Sequence, residues 1–463
     1  MKNAGQLNDS KTLRSYSKIL LGAVLLILYV WIFTHLYVEN IYPRWRYFGF
    51  RLGVDNGNSY KIGLICIFAG YIFIPREAKM ASDYVLWLLF VLAFVPIQIT
   101  FGLSDSIPNG GVYYQIALLI SFIISTFIAR LSGRISWVMQ APNRKPENSR
   151  KQTRPGAFKR LFIMASAIVV LLLVFRFRSI MTLAGIEDVY AQRAAAYEFG
   201  IGAFFGYLIL WVTYLFSPLI IAIGLVEGKK RLIFLAILMF LAIYMITASK
   251  TTFVIAAFCI SIHFLNRLSL PKNMYLLFFF PIIPMIIAMA FEFSNSTYIG
   301  IASAYIVDQI VIRGIAIQAM IFNLYVEFFY NNPVTYYSHV TGISSIIKYP
   351  YDLPVGRVIS VYQYGNPDAN ANSGIWATDG VAAAGPIGII IVGFMLGIFL
   401  GFANRFTKNV DQQFLSIAMV PLAMLMVNAS LFTTLASGGG CLLVLLVQNL
   451  WKDVVPATSM LPA

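Results

Sequence analysis

The chain has 463 residues, 59% of them hydrophobic and 11% charged, with a formal net charge of +15 and a mean hydropathy of +0.77. Soluble domains run at roughly 45–50% apolar and about 25% charged residues, so this composition excludes an ordinary soluble enzyme and implies an integral membrane protein. Nucleic acid is discounted as a partner, because the basic excess follows short loops and one linker-like stretch rather than a packed groove.

In chain order, the N-terminal MKNAGQLNDSKTLRSYSK runs into an apolar stretch at 19–38 with no small-residue cleavage site, which predicts a retained first helix. Further stretches long enough to cross the hydrocarbon as helices begin near 61, cover 84–101, begin near 112, 161, 201, 231 and 251, cover 275–291, and begin near 386, 414 and 433. That makes about twelve spans. Short cytoplasmic loops collect Lys and Arg, and placing both termini in the cytoplasm puts most of the 34 basic residues there, densest in the loop 130–160. Cys66, Cys259 and Cys441 fall inside predicted spans, and His35, His263 and His339 are scattered, so neither a disulfide framework nor a metal-ligand spacing is present.

Three external segments remain, 39–60, 176–200 and 293–384. The last far exceeds the about 15 residues beyond which a loop in a compact protein is usually functional or disordered. Its first part, 298–330, reads as an amphipathic helix with Gln309, Arg313, Asn323 and Glu327 in one narrow arc at about 100° per residue. The expected fold is therefore an all-α polytopic membrane protein, a single domain over 1–463, roofed by a large external loop that carries an amphipathic helix. The loop's end, 366–388, is NPDANANSGIWATDGVAAAGPIG. Irregular polar backbone at a membrane is tolerated where it lines a cavity, so this stretch is a candidate site.

The order of an Arg on a helix, FFYNNP, Tyr-Tyr-Ser-His, Tyr-Pro and NANSGIWATDGVAAAGPIG before a hydrophobic span resembles the Wzy family, the polymerases of oligosaccharide repeat units in O-antigen and capsule assembly. The resemblance implies glycosyl transfer at the periplasmic face of a bacterial inner membrane. A growing glycan would move from undecaprenyl diphosphate to a carrier-linked repeat unit, with membrane lipids around it and a chain-length regulator protein as partner. Such chemistry calls for cations to hold a departing diphosphate and a base near the acceptor hydroxyl.

For the diphosphate the candidates are Lys250, Arg313, Arg193 and Arg357. Lys250, in TASKTT, sits between two apolar runs where a Lys is costly unless it is paired or snorkels to the interface. Arg313 could instead form an ion pair with Asp308 or Glu327, and Arg193 and Arg357 could be plain external charges. For acid/base work the candidates are Asp379, which stands before a helix and near Trp376, and His339, since histidine titrates near neutral pH. Asp379 could equally cap the helix starting near 381, and His339 could simply pack among tyrosines. Asn370 and Asn372 suit sugar hydroxyls or a turn, while Tyr336, Tyr337 and Trp376 suit stacking on sugar rings or an interfacial belt.

A Gly-x-Ser-x-Gly elbow, a phosphate-binding lysine loop, HExxH and a dinucleotide fingerprint are all missing from the sequence. No metal or cofactor is expected, and the donor itself would supply the energy. Two rivals stay open: a ligase that moves finished glycan from the same carrier to another acceptor, and a flippase or transporter for the lipid-linked sugar.

Overall fold

The computed structural model describes residues 2–53, 57–104, 107, 111–132, 156–185, 188–292, 304–367, 369–372 and 374–454. The middle of the basic loop, 133–155, and the start of the long external loop, 293–303, lie outside the described residues. All regular structure among the described residues is helical. Among the described residues, nine helices are long and apolar enough to cross a membrane: Tyr16–Phe48, Ala81–Leu103, Gly111–Leu131, Ala157–Phe177, Gly202–Val226, Lys230–Thr247, Ala304–Asn331, Thr378–Phe406 and Leu431–Trp451. Three shorter apolar helices, Thr251–Arg267, Met274–Ala290 and Gln412–Asn428, join them. The chain is an all-α, multi-pass membrane protein.

Four of the expected spans are shorter helices: the one expected near 61 is Gly57–Phe73, of 17 residues, and those expected near 251, at 275–291 and near 414 are the three just named. The amphipathic helix of the external loop, Ala304–Asn331, reaches 28 residues at a mean hydropathy of 1.5, long and apolar enough to count among the nine. Its expected polar arc is also split. Residues Val307–Ala316 are π-helical, and a turn closed by i→i+5 bonds shifts the phase of everything after it. Gln309 accordingly meets Lys250, whereas Glu327 meets Arg51 and Tyr362.

Three shorter π turns, Tyr37–Ile41, Phe90–Phe94 and Val212–Phe216, have a simple origin. Each is followed at its second residue by proline: Pro43, Pro96 and Pro218. Proline has no N–H for the carbonyl four residues back, and that carbonyl lies inside the turn in every case. The ladder widens by one residue to get past the gap. The turn at Val307–Ala316 has no proline after it until Pro333.

Helices Gly111–Ser132 and Thr378–Phe406 pack through small residues. A Cβ added at Gly393 would strike the side chain and backbone of Ser121, and one at Gly397 would come 2.8 Å from Ile128 Cβ. Backbones approach this closely only where a side chain is absent, and Ser125 uses the proximity to donate to Gly393 O at 2.8 Å.

Hydrogen bonds join the loops in two sets. Ala78 N donates to Pro271 O, Gln412 Nε2 to Lys79 O, and Lys159 N to Asp453 Oδ2, while Lys159 and Lys229 both pair with buried Glu227. In the other set, Gly53 N donates to Leu103 O, Tyr364 OH to Phe48 O, Thr182 N to Met245 O, and Phe432 N to Asp379 Oδ2. These sets match the loops that the basic-residue alternation assigns to opposite faces. They are called here the Glu227 end and the Asp379 end.

Candidate functional site

The site at the Asp379 end starts from a helix that breaks. Within Thr378–Phe406, Gly385 has φ 58° and ψ −135°, a conformation open to glycine and strained for other residues. Pro386 follows, and in an unbroken helix its missing N–H would have bonded Ala382 O. That carbonyl and the next are served from another part of the chain. Thr335 gives both its N–H (2.8 Å) and its hydroxyl (3.0 Å) to Ala382 O, and Tyr336 N donates to Ala383 O at 3.0 Å. The loop is thereby clipped to the helix. Tyr336 and Tyr337 carry φ of 47° and 65°, a left-handed backbone uncommon for non-glycine residues and held here by surrounding structure.

That clip brings His339 to Asp379. His339 Nε2 lies 3.4 Å from Asp379 Oδ1, and His339 Nδ1 lies 2.6 Å from Thr335 Oγ1. Asp379 is 7% exposed. Its Oδ2 accepts from Phe432 N at 3.1 Å, so the carboxylate ties two elements together rather than capping its own helix, whose first residue is Thr378. The Tyr337 ring stacks on His339 at 6.3 Å between centroids and packs on Phe432. Burial, with a further contribution from the Asp379 charge, pushes the Tyr337 phenol up to about 12.

Two of the basic candidates, Arg193 and Lys250, meet at another turn of the Asp379 end. Helix Val189–Glu198 is stapled there by the buried Gln192, which donates to Ile180 O at 2.7 Å and Met245 O at 2.8 Å. Arg193, next in sequence, donates to Ala248 O at 3.3 Å. Two residues on, Lys250 donates to Gln309 Oε1 at 3.0 Å and lies 5.9 Å from the centre of the Tyr305 ring. Gln309 shares the π-helical turn with Arg313. From there a polar thread leads to the carboxylate: Gln318 Nε2 bonds both Arg313 O and Asn428 Oδ1, and the segment after Asn428 supplies Phe432 N to Asp379.

Asp308 and Glu327 are engaged with other residues. Trp45 Nε1 donates to Asp308 at 3.0 Å, and Glu327 Oε1 receives Arg51 at 2.8 Å and Tyr362 at 3.0 Å. Asn370, Asn372 and Arg357 gather at a second corner of the loop. Ala371 N donates to Gly356 O at 2.9 Å, and both Asn side chains press so closely on Gly356 that a Cβ there would collide with them. Tyr336 is 65% exposed, whereas Trp376 is fully buried and fastened by its backbone N–H to Met426 O.

Sequence reasoning missed Thr335, Gln192 and Arg51. The signal for Thr335 lay in Pro386, whose position frees the Ala382 carbonyl for an outside donor. For Gln192 and Arg51 the sequence carries no comparable sign. Chemically, the site offers a buried carboxylate facing an imidazole, and the same end of the molecule holds Arg193 and Lys250 at one turn.

Set against protein-family models, curated proteins and solved structures, the chain finds no match in any of the three.

Proposed function

We propose that this chain is a Wzy-type polymerase of lipid-linked oligosaccharide repeat units, working at the periplasmic face of a bacterial inner membrane with about twelve spans and both termini in the cytoplasm. The observation that carries the reading is the approach of His339 to Asp379 at 3.4 Å. These residues lie forty positions apart, and each suits proton transfer by type. The gathering of Arg193 and Lys250 at one turn, with Arg313 on the helix that Lys250 touches, supports it further.

In this reading the acceptor sugar hydroxyl gives its proton to Asp379 Oδ1, with His339 Nε2 alongside. The acceptor oxygen bonds to the anomeric carbon of the donor glycan. The bond from that carbon to the diphosphate oxygen breaks, and its electron pair leaves on undecaprenyl diphosphate. Lys250, Arg193 and Arg313 stabilise the charge that develops there. Tyr336, Asn370, Asn372 and Arg357 belong to the glycan-facing part of the loop, and Tyr337 holds the imidazole from its face.

The test is a gel profile of surface polysaccharide from cells deleted for the gene and complemented with wild-type or Asp379→Asn protein. Deletion should collapse a long ladder to core plus one repeat unit, and Asp379→Asn should leave it collapsed at normal protein level. A full ladder with Asp379→Asn would sink the carboxylate role. Loss of the single-repeat band on deletion would favour a ligase if long carrier-linked glycan accumulates outside, or a flippase if single units accumulate inside.

A further inference from the structure

We infer that Thr335 is a positioning residue whose hydroxyl fixes the tautomer of His339, so that Nε2 and Asp379 Oδ1 face each other as a slot for one proton. The inference rests on reading His339 and Asp379 as the proton-handling pair. A threonine hydroxyl has one proton to donate and two lone pairs to offer. Ala382 O, the carbonyl that Pro386 leaves without its helical donor, can take that proton at 3.0 Å. Given there, it leaves the oxygen as an acceptor toward His339 Nδ1 at 2.6 Å, and Nδ1 is then the nitrogen that carries the hydrogen. A neutral imidazole has one N–H, and with it placed on Nδ1 the lone pair of Nε2 is turned toward the carboxylate.

The 3.4 Å separation fits this arrangement. It is longer than the roughly 2.7–3.2 Å of a formed N–H···O bond and suits two acceptors held apart. A proton arriving from an acceptor hydroxyl would be bound by both at once, and would depart to solvent after transfer. The other groups around the pair do not compete for Nδ1. Tyr337 lies on the face of the ring, and Phe432 N occupies Oδ2. Without the Thr335 hydroxyl to accept from Nδ1, the tautomer with its hydrogen on Nε2, which can donate to Asp379 Oδ1, becomes available.

The experiment uses the full-length protein in detergent with nitrogen-labelled histidine. The chain has three histidines, so the His339→Gln variant identifies the His339 signals by their disappearance. Under conditions where the imidazole carries a single proton, the wild type should show it on Nδ1 of His339. Thr335→Val, which keeps the shape and loses the hydroxyl, should show both tautomers, and Thr335→Ser should restore the wild-type pattern. In cells, Thr335→Val should cut long-chain glycan about tenfold, with Thr335→Ser recovering most of it. Wild-type His339 protonated on Nε2, or an unchanged spectrum in Thr335→Val, would overturn the inference. The wild-type spectrum decides the matter even if Thr335→Val does not fold. Should the tautomer behave as expected while Asp379→Asn cells keep a full ladder, the positioning role stands and the carboxylate role of the proposed function falls.

Discussion

Lys250 occupies a position that a single methylene chain can reach and a bulkier group can still use. Its ammonium meets Gln309 Oε1 and the face of Tyr305, so its charge is held near the π-helical turn that carries Arg313. If that charge grips a diphosphate, Lys250→Arg should keep the chain-length distribution, because guanidinium binds phosphate oxygens at least as well. Lys250→Met should lose roughly tenfold or more of the long chains, the effect of removing a charge-assisted contact. A wild-type ladder from Lys250→Met at equal protein level would remove Lys250 from the site. Sequence alone singled out His339 and Asp379 by type and by their place in the loop, but their pairing depended on a carbonyl freed elsewhere. Thr335 was not legible as a site residue, since one threonine among many gives no sign until Ala382 is known to want a donor. The Arg51–Glu327 pair spans 276 positions, a separation no local pattern carries. Asp379 was legible as buried because Trp376 and a small-residue run surround it.

At the scale of elements, prolines and glycines decide most of what periodicity missed. The long apolar helices were legible because their length and hydropathy exceed what any loop needs. The three short π turns and the break at Gly385 trace to missing N–H groups, which shift phase without altering composition. Gly385→Ala would place a Cβ at φ 58°, costing about 1–3 kcal/mol and loosening the clip that joins His339 to Asp379. The expected outcome is a melting midpoint in detergent lowered by several degrees, whereas Gly206→Ala, in a helix with open space around it, should melt no lower than wild type. Equal midpoints for Gly385→Ala and wild type would show that the break is not strained. The tyrosine-rich loop adds a pH effect. Burial pushes Tyr337, Tyr349 and Tyr364 from 10.0 up to about 12, so between those values the folded loop binds protons that the unfolded chain has released. Their contribution to stability is complete below about pH 10 and is lost as pH rises toward 12. The melting midpoint should stay level to about pH 10 and drop beyond it, and a flat profile to pH 12 would contradict the burial of these phenols.

Across the whole molecule, the loop-to-loop hydrogen bonds divide the protein into the Glu227 end and the Asp379 end, and the proposed chemistry requires the second to face outward. With Cys66, Cys259 and Cys441 replaced, single cysteines at the exposed positions Ser344 and Lys408 report on the two ends. A membrane-impermeant maleimide should label position 344 in intact cells and position 408 only after lysis, and the reverse pattern would turn the protein over and remove the periplasmic reading. The alternation of basic loops made this division legible in advance, because charge placement is written directly in sequence. What it could not convey is how the long loop is anchored. Since Thr335 and Tyr336 are bonded beside Ala382 and Ala383, the stretch between them leaves and returns at one spot, and His339 and Asp379 sit next to that spot. Closing a flexible loop of twice the length costs only about 0.6 kcal/mol more. On the reading proposed above, the mostly exposed residues 341–348 can therefore be lengthened or exchanged in the course of descent, so that a lineage meeting a new surface sugar could rewrite its recognition there and inherit its chemistry unchanged.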